Sequence, residues 1–400
     1  MKKKSFASLC VKEQADTRTT KPHQLPIYAT SSFEFENINQ GMDIFMGKTE
    51  GHVYGRYGNP TIDTVANKIA LLETYGLDIE AKAIMFSSGM SAISTLFMGV
   101  LKSGDKVLTQ GDLYGGTTEL LLKILGPLGI ETIMTDLKDL DNVESLLKAN
   151  PAIKLVYFET PANPTMACVD IEAIANLSKK YGKLSAIDST FCTPYIQQPL
   201  KFGIDFVIHS STKYLNGHGN SISGVVIGTD LDLMNGKILK AMRLTGTNCN
   251  PWDAWLTNNG LKTLALRMEQ HCKNAMAIAE YMEKHPKILH VNYNGLPSHP
   301  DHEIAKKQMS AFGGMLSFEL KGGLDAGIQF MNNVEFCSLA PTLGDVDTLI
   351  IHPASSSHVN VDKEMRERNG ISDGLIRLSV GIEGVEDLIE DMEKGFGQGY

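Results

Sequence analysis

The chain has 400 residues, 42% of them hydrophobic and 21% charged, which is length enough for two domains around a substantial core and excludes a disordered polymer. A formal net charge of -9 argues against general binding to nucleic acid or to an anionic membrane, so small molecules are the expected partners. Cys10, Cys168, Cys192, Cys249, Cys272 and Cys337 are scattered without CxxC or zinc-like spacing, the usage of reduced thiols in a cytoplasmic protein.

Met1-Lys2-Lys3-Lys4 has the charge of a signal-peptide start, but the apolar stretch 6–11 is broken by Ser8 and meets Lys12-Glu13, so no export signal is expected. Residues 1–58 lack a sustained period and read as an N-terminal arm that packs on something else. Over 61–73, Ile62, Val65, Ala66, Ile69, Ala70 and Leu72 form a helical stripe. Strand candidates follow at 83–86, 106–109, 131–134, 154–159, 185–188, 206–209 and 224–228, with helices fitting between most of them. The apolar run 84–101 contains Ser87, Ser88, Ser91 and Ser94, which suits a strand and a buried helix better than a membrane span. This rhythm predicts an α/β fold built on a mainly parallel seven-stranded sheet with flanking helices. Beyond it, a long helix over 255–284, strands over 314–320 and 375–379 and a terminal helix over 385–396 predict a smaller C-terminal α+β domain. The expected units are therefore 1–58, 59–255 and 256–400.

Two polar clusters fall at strand ends. Asp188 closes the strand 185–188, and His209-Ser210-Ser211-Thr212-Lys213-Tyr214 follows the strand 206–209. In an open parallel sheet, ligands gather at the carboxyl ends of strands, so this carboxylate and this amine can converge on one small molecule. A lone Asp is more often a helix cap and a lone Lys a solvated loop residue. Together they match what pyridoxal phosphate requires: a carboxylate that keeps the pyridine nitrogen protonated and a lysine that forms the Schiff base. Ser210 and Thr212 offer hydroxyls to the phosphate. Ser87-Ser88-Gly89-Met90-Ser91-Ala92 lies between a strand and a helix, where backbone N–H groups point at an anion. Metal chemistry is not expected, because His209 with His218, and His352 with His358, lack helical zinc spacing and a completing ligand. Gly217 and Gly219 follow the lysine rather than opening the first βα unit, which disfavours a dinucleotide site.

The runs Pro26-Ile27-Tyr28, Tyr54-Gly55-Arg56-Tyr57-Gly58-Asn59-Pro60-Thr61, Ala186 to Phe191 with Thr193-Pro194, His209 to Gly219 and Gly370 to Ser379 resemble the Cys/Met-metabolism family of fold-type I pyridoxal-phosphate enzymes over nearly the whole chain. The resemblance implies pyridoxal 5'-phosphate as cofactor, with Lys213 as Schiff-base lysine and general base and Asp188 on the ring nitrogen. It carries the phosphate onto Gly89 and Met90, with Ser88 among the cofactor-binding residues. It also assigns Tyr54 and Arg56 to the phosphate of a neighbouring subunit, which makes a homodimer the minimum active unit and a homotetramer the typical assembly. Tyr114 would stack on the ring and protonate a departing thiolate, and Asn163 would lie beside the ring. Arg377 would grip the α-carboxylate of an amino-acid substrate as a guanidinium fork, with Thr342 also at the substrate.

Gln308-Met309-Ser310, Gly313-Gly314-Met315, Leu343-Gly344-Asp345 and His352-Pro353-Ala354-Ser355 look most like methionine γ-lyases, and Gly295 to Pro300 more like cystathionine γ-lyases. Gly116 stands where methionine γ-lyases typically carry cysteine, Met242-Arg243 where they carry Lys-Asp, and Pro341 where cystathionine-handling members carry glutamate. The leading expectation is γ-elimination from a methionine- or cystathionine-like thioether. Two alternatives stay open: γ-replacement on an O-acylhomoserine, and an inactive member kept as a scaffold.

Overall fold

Asn59 accepts a side-chain hydrogen bond from the Thr61 amide, and Pro60 occupies the first turn, so the Pro60–Glu73 helix starts where a pre-set φ and a cap coincide. Its apolar stripe is buried against the sheet, with Val65, Ile69 and Leu72 at 0% exposure. The structure, a computed structural model, describes residues 4–12, 22–359, 362–368 and 370–397. Met1, Lys2 and Lys3 of the charged start and residues 13–21 of the arm lie outside the described residues.

The expected strands form one seven-stranded sheet: β1 (Lys82–Phe86), β2 (Lys106–Thr109), β3 (Glu131–Met134), β4 (Ile153–Glu159), β5 (Leu184–Asp188), β6 (Phe206–His209) and β7 (Gly224–Gly228), in the order β1-β7-β6-β5-β4-β2-β3. Neighbours from β3 to β6 pair parallel, and β7 is antiparallel to both β6 and β1. That reversal follows from the β6–β7 connection, which holds turns and no crossover helix, so the chain doubles back. Both faces are covered. One packs Met85, Phe158, Ile187 and Val207 under the Pro60–Glu73 and Ile171–Lys180 helices. The other packs Phe86, Tyr157, Ala186 and Ile208 under the Gly89–Val100 helix, where Phe97 meets Tyr157 edge-on at 5.2 Å. Truncating such a buried ring to alanine costs about 3–5 kcal/mol.

A second, five-stranded sheet comprises β8 (Ile288–Asn292), β9 (Met315–Leu320), β10 (Ser338–Leu339), β11 (Leu349–Ile351) and β12 (Leu375–Ser379), ordered β10-β11-β12-β9-β8. The terminal helix, Val385–Phe396, buries Leu388 and Met392 in its core with Phe318, Phe330 and Leu378. The single helix expected over 255–284 is instead two, Pro251–Leu261 and Leu264–Glu283. Gly260 explains the break: its carbonyl accepts from the Thr263 amide at 3.1 Å and from Arg267 Nη2 at 2.8 Å, which ends the regular ladder.

Part of the N-terminal arm packs on its own chain. The Phe6–Val11 helix buries Cys10, and Phe6 meets Tyr75 and Tyr195 edge-on at 5.4 and 5.5 Å. The Ile38–Phe45 helix differs, leaving Ile38 80% and Phe45 67% exposed. Among the described residues no helix is long and apolar enough to cross a membrane, and no group of three or more His, Cys, Asp and Glu is placed to hold a metal ion.

Candidate active site

Strands β4, β5 and β6 end side by side, with Glu159 opposite Asp188 and Asp188 opposite Ile208. Residues paired across a sheet point to the same face, so the two carboxyls stand together on the face that carries the Gly89–Val100 helix. Asp188 Oδ1 accepts from the Thr190 amide at 2.9 Å, and Thr190 Oγ1 accepts from the Ser210 amide at 2.8 Å. The Lys213 amide in turn donates to the Ser210 carbonyl at 3.1 Å, so Asp188 and Lys213 share one rim.

Burial raises the Asp188 carboxyl above its ordinary value, while hydrogen bonds from Thr190 and the charge of His209 pull it back. Glu159 is pushed well above the usual carboxylate range, first by burial and then by the Asp188 charge. Two carboxyls side by side in a dry site cannot both ionise without cost. A protonated ring nitrogen beside Asp188 relieves that conflict. Glu159 has another role as well, since both its oxygens accept from the Tyr114 amide at 3.0 Å.

The Lys213 ammonium is destabilised first by burial and then by the Arg377 charge, with Asp345 opposing. An amine held toward its neutral form is the nucleophile an aldehyde requires. Lys213 Nζ donates to Thr342 Oγ1 at 2.7 Å, and the Thr342 carbonyl accepts from Arg377 Nη2 at 2.8 Å. Arg377, on β12, is only 9% exposed, so strand alternation does not turn it to solvent. Burial lowers its pKa to about 10, with Tyr214 and Tyr114 opposing, and its Nε is buried without a partner. A desolvated guanidinium with a vacant donor is made to receive a carboxylate.

The small-residue turn is tightly built. Ser88 caps the Gly89–Val100 helix in a reciprocal capping box with Ser91, so its hydroxyl is occupied by the helix. A Cβ on Gly89 would lie 2.8 Å from Ser210 Cβ, and one on Gly224 would lie 2.2 Å from the Ser88 carbonyl, so only glycine lets these backbones meet. Thr212 Oγ1 donates to the Ser223 carbonyl and accepts from its amide, both at 3.1 Å. The Tyr114 ring is 53% exposed and lies against Gly116, where an added Cβ would be 2.6 Å from the ring and 3.2 Å from Met90 Sδ. Asn163 Oδ1 is buried without a partner. Tyr54 and Arg56 lie together: the Arg56 guanidinium lies 5.4 Å from the Tyr54 ring and 4.9 Å from Tyr57, and its Nη1 donates to the Arg243 carbonyl.

These features fit pyridoxal phosphate. A helix start opened by glycine suits its phosphate, a buried carboxyl its ring nitrogen, an orphaned amide oxygen a donor beside the ring, and a deprotonating lysine its aldehyde. Three supporting residues were not singled out by sequence reading. Glu159 is one and Glu73, which meets His209, another. The third is Arg267, 3% exposed, which donates from Nη1 to the Tyr214 carbonyl at 2.8 Å and from Nε to Thr263 at 3.0 Å, tying the lysine loop to the Leu264–Glu283 helix. An arginine amid Leu264, Ala265 and Met268 was the available signal.

The family model described as Cys/Met metabolism PLP-dependent enzyme matches residues 7–397. The chain is 49% identical to an L-methionine gamma-lyase of Fusobacterium nucleatum subsp. polymorphum, covering 93% of this chain and 92% of that protein. It is 46% identical to an L-methionine gamma-lyase of Porphyromonas gingivalis, covering 92% and 91%. The crystal structure of cystathionine gamma-lyase from Lactobacillus plantarum complexed with L-serine superposes with a TM-score of 0.90 at 38% identity, covering 98% of each chain. Joined to a rim where a half-buried lysine, a half-buried carboxyl and a buried guanidinium are linked, these likenesses establish that the chain belongs to the Cys/Met-metabolism family of pyridoxal-phosphate-dependent enzymes.

Proposed function

We propose that this protein is a carbon–sulfur γ-lyase that, with one water, converts a methionine- or cystathionine-like amino acid to 2-oxobutyrate, ammonia and a thiol. The observation that carries this reading is the contact line from Lys213 through Thr342 to Arg377, which puts a proton-accepting amine and a carboxylate anchor on either end of one residue. When bound, pyridoxal 5'-phosphate supplies the electron sink for the carbanion formed at Cα.

Arg377 binds the substrate α-carboxylate through its free Nε and the rest of its fork. That contact presents the Cα hydrogen to Lys213, whose amine takes the proton and carries it onward. Tyr114, held at its backbone by Glu159, donates a proton to the departing sulfur. Asp188 would stand as the carboxylate partner of the ring nitrogen, and Asn163 would lie beside the ring. The amides of Gly89 and Met90 and the hydroxyls of Ser210 and Thr212 would hold the phosphate. Ser88 contributes by shaping that turn.

Tyr54 and Arg56 complete the phosphate site of a neighbouring subunit, so the active unit is a homodimer and the assembly a homotetramer in the cytoplasm. Residues 1–58 serve as the arm that carries them, 59–255 bind the cofactor, and 256–400 close over the substrate. The exposed Ile38 and Phe45 support an arm that meets a second copy.

The test is incubation with L-methionine, L-cystathionine and O-acetyl-L-homoserine separately, with and without sulfide, followed by assay of 2-oxobutyrate. The expected result is 2-oxobutyrate from a thioether, abolished in Lys213→Ala. Homocysteine as the dominant product from the acylated homoserine with sulfide would replace elimination by γ-replacement. A purified protein without a visible cofactor band would favour the scaffold alternative.

A further inference from the structure

Directly across the sheet from the active face, Glu73 and His209 are both wholly buried, with His209 Nε2 3.0 Å from Glu73 Oε2 and Nδ1 3.1 Å from the Ser189 carbonyl. Alternation explains the placement. Ile208 pairs with Asp188 and shares its face, so His209, the next residue, turns toward the Pro60–Glu73 helix, whose last residue is the glutamate. The carbonyl of Ser189 can only accept, so Nδ1 carries a hydrogen. Nε2 faces a carboxylate, so a second proton lies on that line. Glu73 Oε1 has no hydrogen-bond partner, which leaves the imidazole as the group that answers the carboxylate through its other oxygen.

A buried ion pair is a poor way merely to fasten a helix to a sheet, since apolar residues of similar volume do so at no greater cost. Its position gives it another use. The imidazole bonds to the carbonyl of Ser189, the residue that follows Asp188, while burial on the cofactor face opposes the ionisation of Asp188.

We propose that Glu73 holds His209 as an imidazolium, and that this positive charge behind the sheet keeps the Asp188 carboxylate ionised in its buried setting, so that the proton of the Asp188–cofactor contact resides on the ring nitrogen. Both are positioning residues, acting through Asp188 without touching substrate or cofactor. The inference rests on the pyridoxal-phosphate reading above. The charge of His209 acts on Asp188 through the sheet and favours its ionised form.

Solid-state 15N NMR of the holoenzyme, loaded with cofactor labelled at the ring nitrogen, reads the proton directly. The wild type is expected at the protonated-pyridine position, and Glu73→Gln and His209→Gln are expected to move toward the unprotonated value while retaining the visible band of lysine-bound cofactor. A wild-type resonance in both folded variants would overturn the inference. Should either variant fail to fold, histidine-selective 15N labelling of the wild-type holoenzyme decides: two protonated ring nitrogens at His209 support the proposal, and a neutral ring defeats it. A wild-type protein with no visible band would instead defeat the cofactor reading, and this inference with it.

Discussion

Lys213 Nζ donates to Thr342 Oγ1 at 2.7 Å, a contact between residues 129 positions apart. It joins the loop after β6 of the large sheet to the segment before β11 of the small one, so the amine is aimed by a residue from a distant part of the chain. Losing one such neutral partner changes an interaction by about 0.5–1.5 kcal/mol. Thr342→Val is therefore expected to lower kcat/KM by about 3- to 10-fold, and Thr342→Ser to stay near wild type. Steady-state kinetics of the two variants side by side check this, and equal losses would assign the contact to packing.

Arg377 offers a fork where lysine would offer a point charge. Arg377→Lys keeps the charge and loses the paired geometry, and hydrogen bonds to charged groups contribute about 1.5–3 kcal/mol. KM for the amino acid is expected to rise by about 10- to 100-fold with a smaller change in kcat. A kcat loss at unchanged KM would show that the guanidinium acts on the transition state instead.

Gly89 sits where a Cβ would come within 2.8 Å of Ser210 Cβ and 2.9 Å of its Oγ. Overpacking of this kind costs about 1–3 kcal/mol, so Gly89→Ala is expected to weaken pyridoxal phosphate binding by about 5- to 100-fold. Equilibrium titration of the apoprotein with pyridoxal phosphate and with unphosphorylated pyridoxal separates the causes. An equal loss for both ligands would move the phosphate elsewhere.

Glu159 supplies a pH dependence of stability. Its carboxyl is raised well above the ordinary value by burial and by Asp188, so the folded protein holds this proton after the unfolded chain has released it. The contribution is whole below the unfolded value of about 4.5 and is lost as pH rises toward the folded one. Glu159→Gln stays neutral and still accepts from the Tyr114 amide. The apoprotein variant is expected to melt at a higher temperature than wild type near pH 7, with the gain vanishing near pH 4.5. Melting curves across that range are the check, and a gain independent of pH would refute the assignment.

All seven strands of the large sheet were legible because each is a short apolar run bounded by turn residues, and β5 and β6 announced the polar ends that carry Asp188 and Lys213. The helix break at Lys262-Thr263 was not legible, because Gly260 and Arg267 end the helix through contacts with the lysine loop rather than through any local breaker. Strands β8, β10 and β11 escaped as well, β10 and β11 being two and three residues long.

Local order in the chain determined which chemistry this protein carries: a lysine and an aspartate at strand ends, a glycine at a helix start, an arginine inside a strand. Tertiary structure alone decided how those groups are tuned. Glu159 beside Asp188, His209 against Glu73 and Thr342 between Lys213 and Arg377 are meetings of distant segments. Charge and desolvation act through space, so their effect on a carboxyl or an amine becomes defined only when the chain has closed around it.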